Sequence, residues 1–416
     1  MNTLTGLLLI LLSSAGHLEW WVLIVNRTHS FRIDYRILRT FRLFHDIAVI
    51  AYPAILVLRY GTGPKGLLTG GHLSEQPVML QWILLGTSLG VIPLIAGVLR
   101  WHLRQKMQFA AVDSAERHSL RKLAAADPAI GDLIGTCWSV ARHLPFNQFL
   151  TVEINRKTIR VSADMSTSKD TLPPLRIVHI SDLHFIGTPG EGYYRWVFQQ
   201  IASINPDAIV FTGDLIDDPK LLPMAVDCLK SVVPVAPCFF ILGNHDWRFD
   251  HEGIRRAVVD AGWTCLAGVS MMQTLAGRQV VLAGTEYPWI GRHPPVEQKS
   301  SGSATGDGSQ KQRGQSNDTS ARSEPEAIRI LLSHSPDQIR FAKRAGFDVM
   351  LSGHTHGGQV VLPVIGPVYS PSIYGVRYAS GLFDADWPRV HVSRGMAGKD
   401  CLRIGATPEI TCLEIH

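Results

Sequence analysis

Residues 175–184 read LRIVHISDLH, and this stretch decides how the rest of the sequence is interpreted. Its first six residues are rich in aliphatic and β-branched side chains, a composition typical of a buried strand. Asp182 and His184 follow almost at once, so a carboxylate and an imidazole stand where the strand is expected to end. One such pair is weak evidence of a site, because polar residues also favour turns.

The same arrangement occurs four more times further along the chain. Each time a short apolar run of strand type is followed directly by side chains that can bind a metal. The four runs are DAIVFT (207–212) before Asp214 and Asp217, CFFIL (238–242) before Asn244, His245 and Asp246, IRILLS (328–333) before His334, and DVMLS (348–352) before His354 and His356. Strand ends in open α/β sheets converge on one crevice. The sequence therefore predicts one site built from five strand ends.

The side chains at these strand ends predict a site for two metal ions. They offer carboxylate, imidazole and amide donors without thiolate, a set that suits Mn²⁺, with Fe and Zn²⁺ as alternatives, better than a structural zinc or iron–sulfur centre. The donors exceed the needs of one ion, so one carboxylate has to bridge two ions. Two ions about 3.5–4 Å apart are the arrangement that hydrolyses phosphate esters.

In order along the chain, the motifs D-x-H, G-D-x-x-D, G-N-H-D, a single His and G-H-T-H resemble the calcineurin-like metallophosphoesterase family across residues 173–416. The resemblance implies an α/β fold in which two sheets pack between helices, an αββα sandwich. It implies that one metal is held by Asp182, His184 and His356, that the other is held by Asn244, His334 and His354, and that Asp214 bridges them. By the same resemblance, His245 would protonate or stabilise the leaving oxygen, with Asp246 orienting its ring.

Two neighbouring residues have open roles. Asp217 belongs to G-D-x-x-D and is expected to support a ligand or the fold rather than to bind metal. Arg394 could contact a phosphate or diphosphate group, and could equally be satisfied by the backbone.

The continuation GHTHGGQVVLP (353–363) and the tail from Ser393 resemble a bacterial membrane-associated branch of the family. That branch includes phosphodiesterases and the UDP-2,3-diacylglucosamine diphosphatase type of lipid A synthesis. The chain departs from the family after the strand expected at 280–283, where Gly284, Thr285 and Glu286 replace a frequent Gly-x-x-Asp.

The first hundred residues predict a membrane region. Hydrophobic residues make up 46% of the chain and charged residues only 18%, against about 25% charged in an average soluble domain. The uncharged run at 78–99 is long enough to cross about 30 Å of hydrocarbon. The run at 4–25 contains His17 and Glu19 and is also predicted to span. The run at 47–58 is shorter and contains a proline, so it is either a third span or a re-entrant or interfacial segment.

Basic residues predict the orientation of these segments. The loop after the first run contains Arg27, Arg32, Arg36, Arg39 and Arg42, and the third run is followed by Arg100, Arg104 and Lys106, whereas the loop between has only Lys65. The positive-inside rule then places the catalytic domain on the cytoplasmic side of a multi-pass protein of the cytoplasmic membrane. A cleaved signal peptide is the alternative for the first run, but MNTLTG lacks a positive n-region.

We expect the chain to divide into a membrane region (1–100), a helical connector (101–145) and a metallophosphoesterase domain (146–416). Within the last, residues 295–325 are rich in Ser, Gly and Gln and predict a disordered insertion, because they cannot form a core. The six cysteines lack metal-binding spacing and are predicted to be buried thiols, which fits a reducing compartment.

Together these features predict a membrane-anchored enzyme with two metals that hydrolyses a phosphodiester or diphosphate bond. A lipid-linked or nucleotide-linked substrate such as UDP-2,3-diacylglucosamine is favoured, with the lipid bilayer as the other partner. The net charge of +5 is dispersed and does not indicate a nucleic-acid partner. The alternatives are a tethered phosphodiesterase or phosphatase for soluble nucleotides or phosphoproteins, and a non-enzymatic membrane scaffold or metal sensor.

Overall fold

The computed structural model describes residues 2–110, 112–135, 143–161, 172–295, 327–383, 387–398 and 400–416. The insertion predicted at 295–325 lies almost wholly outside these residues, so its disorder stays a prediction.

Four helices form the N-terminal region, namely α1 (Thr3–Thr28), α2 (Tyr35–Ile55), α3 (Val78–Ser88) and α4 (Val91–Ala110). Three stretches are long and apolar enough to cross a membrane: Thr3–Thr28, Arg36–Gly61 and Val78–Leu103. The ambiguous run at 47–58 therefore belongs to a candidate span of 26 residues, because α2 continues into a π-helical turn at Leu56–Gly61.

The surface of this region is apolar, as lipid requires. Leu58 is 76% exposed and Met79 75% exposed, and such a surface would be unfavourable in water. Polar side chains meet inside instead. Ser13 Oγ lies 2.6 Å from both Tyr52 Oη and Thr87 Oγ1, and this hydrogen-bonded trio joins α1, α2 and α3.

The strands are β1 (Val112–Ser119), β2 (Thr151–Ile159), β3 (Leu175–Ile180), β4 (Ala208–Phe211), β5 (Cys238–Phe240), β6 (Thr264–Cys265), β7 (Ser270–Leu275), β8 (Arg278–Thr285), β9 (Ile328–Ser333), β10 (Val349–Ser352), β11 (Val361–Leu362), β12 (Gly366–Pro367), β13 (Gly381–Phe383), β14 (Arg389–Val392) and β15 (Glu409–Ile415). The helices among them are α5 (Leu120–Ala126), α6 (Glu191–Ser203), α7 (Leu222–Lys230), α8 (His251–Asp260) and α9 (Ile339–Arg344).

These strands form two larger sheets and one hairpin. The first sheet has the order β1-β2-β15-β3-β4-β5-β6, and the second has the order β13-β14-β10-β9-β8-β7. Strands β3 to β6 are parallel, as are β8, β9, β10 and β14. Parallel strands need crossovers, and helices on the outer faces supply most of them.

The buried residues confirm the predicted αββα sandwich. Ile177, Val210, Leu282 and Leu351 belong to a core between the two sheets. A second core lies between the first sheet and its helices, and a smaller one around Phe347 lies between the second sheet and α9.

The strand β1 corrects the prediction that residues 101–145 are helical. It pairs antiparallel with β2, with Arg117 opposite Glu153, and forms an edge of the first sheet. The sequence VDSAERHS lacks the alternation of a half-buried strand, and β1 is mostly exposed. Its neighbour rather than its own composition makes it a strand.

The cysteines agree with the prediction only in part. Cys228, Cys238 and Cys412 are free and buried, and Cys265 is free and half-buried. Cys401 is disulfide-bonded, a state more usual in oxidising compartments.

Candidate metal centre

The loops that follow β3, β4, β5, β9 and β10 bring the predicted ligands to one place. Three groups have ligand atoms within 4.8 Å of one another: Asp182, His184 and His356; His184, Asp214 and His245; and Asp214, His334 and His354. Because the groups share His184 and Asp214, they form one continuous cluster, as the five strand ends predicted.

The first group lies on the side of β3. His184 Nε2 is 3.3 Å from His356 Nε2, and these atoms lie 3.9 Å and 3.7 Å from Asp182 Oδ1. Three donor atoms from two distant loops therefore face a common centre.

The second group lies around His334. Its Nε2 is 3.0 Å from Asn244 Oδ1, 3.2 Å from His354 Nδ1 and 3.3 Å from Asp214 Oδ2. A backbone carbonyl fixes the ring from behind, because His334 Nδ1 lies 2.7 Å from Thr212 O. This is how the remaining nitrogen of a metal-binding histidine is usually held.

Asp214 stands between the two groups. Its Oδ2 lies 3.5 Å from His184 Nε2 and 3.3 Å from His334 Nε2. That oxygen and His354 Nε2 are both buried without a hydrogen-bond partner among the described residues. Buried polar atoms without partners are costly, and cations would satisfy both atoms. The residues present thus fit two metal ions.

The backbone at these residues is strained. Asp182, His184, Asp214, His354 and His356 all have positive φ, between 44° and 72°, a region that L-residues rarely adopt. Such strain persists only where the surrounding structure enforces it, and it clusters at functional sites.

Two glycines allow the loops to approach one another closely. A Cβ at Gly243 would lie 2.2 Å from Asp214 Oδ1, and one at Gly353 would lie 1.8 Å from Ser181 Oγ. The glycines that precede Asn244 and His354 in the motifs are therefore required, because any larger side chain would clash with the neighbouring loop.

The charges of the cluster are poorly balanced without cations. Despite burial, nearby carboxylates raise the pKa of His184 and of His334 to about 9. Burial, together with His334, holds the pKa of His354 well below its usual range. Several imidazoles thus share few carboxylates, and bound cations would change the charge state of these imidazoles.

The structure places His245 beside the cluster but corrects the role of Asp246. The Nδ1 atom of His245 donates to Asp217 Oδ1, and Asp217 Oδ2 lies 2.7 Å from His184 Nδ1. Asp217, expected only as a supporting carboxylate, is therefore the group that orients the His245 ring.

Asp246 points away from that ring. Its carboxylate accepts hydrogen bonds from the backbone N–H groups of Gly243, Asp214, Leu215 and Ile216 at 2.9–3.2 Å. Burial, with the nearby Asp214, raises the pKa of Asp246 to about 7. Its role is to hold the loops after β4 and β5 together.

Arg394 also binds carboxylates rather than facing the cluster. Its guanidinium contacts Glu153 and Glu409 at 2.5 Å and 2.7 Å. Glu286, where the chain departs from the family, accepts from Leu242 N and pairs with Arg255. Both side chains stabilise the surrounding loops.

Several neighbours of the cluster were not predicted from the sequence. The buried Trp289 ring lies 4.9 Å from the His354 ring. The buried Arg403 donates to the carbonyls of His356 and Arg394 at 2.9 Å and 2.6 Å. No local motif marks either residue, although a tryptophan close to the anomalous Gly284–Glu286 stretch was a usable signal.

The loop between the first two candidate spans also reaches this site. Arg32 Cζ lies 4.9 Å from the centroid of the Trp247 ring, two residues after His245. The His29 ring lies 6.1 Å from that of Tyr369, and Asn26 Oδ1 accepts from Ser370 N at 2.9 Å. The membrane region therefore contacts the catalytic domain close to the metal cluster.

Comparison with known proteins agrees with this geometry. Residues 175–358 match the family model described as calcineurin-like phosphoesterase. This stretch begins at β3, ends just after His356 and includes all the predicted ligands.

Curated proteins with similar sequences include both enzymes and membrane proteins. Phosphodiesterase YaeI of Escherichia coli is 28% identical over 59% of this chain and 84% of its own length. UDP-2,3-diacylglucosamine pyrophosphatase LpxG of Chlamydia trachomatis is 29% identical over 66% of this chain and 92% of its own length. A transmembrane protein with metallophosphoesterase domain from Danio rerio is 25% identical over 61% of this chain and 56% of its own length.

Proposed function

The chain carries a calcineurin-like metallophosphoesterase domain and is a hydrolase, and we propose that it cleaves a diphosphate or phosphodiester bond in a lipid-linked substrate at the membrane surface. UDP-2,3-diacylglucosamine is the substrate we favour, since LpxG is named for its action on that compound.

We assign Asp182, His184 and His356 to one metal, Asn244, His334 and His354 to the other, and Asp214 to both. The donor set favours Mn²⁺, with Fe or Zn²⁺ as alternatives. Two such ions, when bound, activate water as a nucleophile and neutralise charge on the phosphoryl oxygens.

The protein's own contribution to the reaction centres on His245. Because the Nδ1–H group of His245 donates to Asp217, the Nε2 atom is left to face the substrate. Donation of a proton or hydrogen bond from Nε2 would stabilise the leaving oxygen as its bond to phosphorus breaks. Burial lowers the pKa of His245, whereas the Asp214 and Asp217 carboxylates oppose this shift and so support the imidazolium form that proton donation requires.

The observation that best supports a lipid-linked substrate is the contact between Arg32 and Trp247. It places the loop that follows the first candidate span within a few residues of His245. A substrate held in the same leaflet therefore meets the cluster without leaving the membrane, and confinement to a surface raises its effective concentration. The helices thus do more than localise the enzyme.

The test compares two substrates with the full chain in detergent and added Mn²⁺. We expect kcat/KM for UDP-2,3-diacylglucosamine to exceed that for bis-p-nitrophenyl phosphate, and His245→Ala to abolish turnover of the lipid. Turnover of the small diester alone would favour the alternative of a soluble substrate. No turnover with any of several metals would favour the non-enzymatic scaffold.

A variant pair tests the contribution of the loop. Arg32→Ala should lower kcat/KM for the lipid substrate by about tenfold or more while it leaves the small diester unaffected, because only the lipid approaches along this surface. Arg36→Ala removes an equal charge from the exposed start of α2 and should change neither. Equal losses on both substrates in Arg32→Ala would contradict this role.

Because the first loop is rich in arginine, we propose that the catalytic domain lies on the cytoplasmic side of the membrane. The disulfide at Cys401 favours the opposite side. A cysteine introduced as Lys220→Cys, on an exposed turn, decides between them. We expect a membrane-impermeant maleimide to label it only after the cells of the expression host are lysed. Labelling in intact spheroplasts would reverse the orientation.

A further inference from the structure

A large cavity lies between the membrane helices and the catalytic domain. Its volume is about 1080 Å³, slightly above the usual range for small-molecule sites. None of the seven predicted metal ligands lines it, although Gly357, directly after His356, does. The cavity is therefore a separate site behind the metal cluster.

The two walls of this cavity differ in character. Val22, Leu23, Leu94 and Val98, on α1 and α4, give one wall an aliphatic surface that continues the candidate spans. The opposite wall belongs to the catalytic domain, and its floor includes the ion-paired Glu153, Arg394 and Glu409. A ligand that fills the cavity must therefore be amphipathic.

The charge of the lining favours an anion. Six basic and four acidic side chains contribute to it. Arg27 and Arg100 stand at the ends of two different candidate spans, and among the described residues neither has an acidic side chain within ion-pair distance. Each instead donates to a carbonyl of its own helix, Leu23 O or Ala96 O. Arginines at this depth attract anionic lipid headgroups.

A hairpin closes the cavity beside α4. The β11–β12 hairpin carries Val364, whose carbonyl O lies 2.6 Å from His102 Nε2. Gly366, at φ +89°, lets the backbone approach so closely that a Cβ there would lie 2.6 Å from the Trp101 ring. Ile365 and Pro367 of the same hairpin line the cavity. The site is thus walled by both parts of the molecule.

We propose that this cavity binds one anionic phospholipid, with its phosphate near Arg27 and Arg100 and its acyl chains along α1 and α4. The lipid fills the space between the membrane helices and the catalytic domain and holds the two together. This role does not depend on the reaction catalysed, because the metal ligands lie outside the cavity.

The glycines of the membrane helices offer a matched pair of variants for the test. A Cβ at Gly97 meets nothing within 4 Å, and Gly97 lines the cavity, so we use Gly97→Leu to occupy part of the cavity. A Cβ at Gly86 also meets nothing within 4 Å, but Gly86 does not line the cavity. Gly86→Leu is therefore the control.

The experiment measures retention of phosphatidylglycerol by the full chain, using native mass spectrometry after reconstitution in mixed phosphatidylcholine and phosphatidylglycerol nanodiscs. We expect one phosphatidylglycerol per wild-type chain, an unchanged level in Gly86→Leu, and a decrease of about tenfold in Gly97→Leu. The double variant Arg27→Gln/Arg100→Gln should lose phosphatidylglycerol selectively, whereas Arg36→Gln/Arg39→Gln should not. Retention in Gly97→Leu equal to that of the wild type would overturn the proposal.

A second measurement uses only the wild-type protein, so that misfolding of a variant cannot confuse the result. Addition of phosphatidylglycerol to phosphatidylcholine nanodiscs should raise the unfolding temperature, because a ligand that binds only the folded state stabilises it. Inorganic phosphate, which lacks acyl chains, should not displace the phosphatidylglycerol that the wild-type chain retains in native mass spectrometry, a readout that phosphate binding at the metal cluster does not change. If phosphate displaces the lipid, the cavity takes free phosphate and the lipid proposal fails.

Discussion

Asp217 accepts a hydrogen bond from His245 Nδ1 with one carboxylate oxygen and lies 2.7 Å from His184 Nδ1 with the other. One carboxylate therefore orients a proposed metal ligand and the proposed leaving-group histidine. Although burial opposes it, the two histidines hold the pKa of Asp217 far below its usual range. The carboxylate is therefore charged at neutral pH.

The change Asp217→Asn should lower kcat by about 10- to 100-fold and weaken metal binding by a similar factor, because both rings lose their charged partner. Turnover and metal titrations measure the two effects. Asp218→Asn is the matched control, since the Asp218 side chain accepts from Lys220 N at 3.0 Å and asparagine also serves as a cap. Full activity in Asp217→Asn would refute this role.

Asp246→Ala should reduce stability rather than catalysis alone. Four buried N–H groups would lose their acceptor, and we expect the free energy of unfolding to fall by at least about 3 kcal/mol. Thermal unfolding of the solubilised protein and the yield of folded protein measure this loss. A variant as stable as the wild type but inactive would restore the ring-orienting role that the sequence suggested.

Removal of one ligand should release a metal. His354→Ala should reduce the metal content from about two ions per chain to about one, because the remaining donors still serve the other ion. Elemental analysis of the purified protein gives the count. Trp289→Phe, which keeps a ring close to His354, should retain both ions, and unchanged metal content in His354→Ala would contradict the assignment.

Acid should destabilise the protein through a histidine pair between the sheets. His179 Nδ1 and His391 Nδ1 lie 2.8 Å apart. Burial lowers the pKa of His179 to about 3, and burial together with Lys157 lowers that of His391. An unfolded histidine binds its proton near pH 6.5, so below this pH the unfolded state holds more protons than the folded one.

The stability from this pair is therefore complete above about pH 6.5 and falls as the pH approaches about 3, by up to about 1.4 kcal/mol per pH unit for each histidine. Thermal unfolding measured between neutral and acid pH gives the slope. The variant His391→Gln should show a shallower slope than the wild type. Equal slopes would mean that other groups cause the acid sensitivity.

The sequence predicted the fold and the convergence of the candidate ligands because their signals are local. A candidate ligand such as Asp182 or Asp214 directly follows its strand, so a short window contains both the strand and the donor. The role of Asp246 was mistaken because adjacency in sequence does not fix direction. In the tight turn after His245, its side chain turns towards four N–H groups.

Contacts between distant segments left no such signal. The strand β1 is defined by pairing with β2, and the approach of Arg32 to Trp247 joins residues far apart in the chain. Neither feature follows from composition or periodicity, because both depend on how complete elements pack.

The helix α4 ends at Ala110 and the edge strand β1 begins at Val112. A single residue separates this helix, which contains the end of the last candidate span, from a seven-stranded sheet, which leaves no length for a flexible linker. The catalytic domain therefore stays at a nearly constant distance from the bilayer and diffuses laterally together with its membrane helices. Its encounters with a lipid substrate then become a two-dimensional search, whose rate depends on surface density and membrane viscosity rather than on bulk concentration.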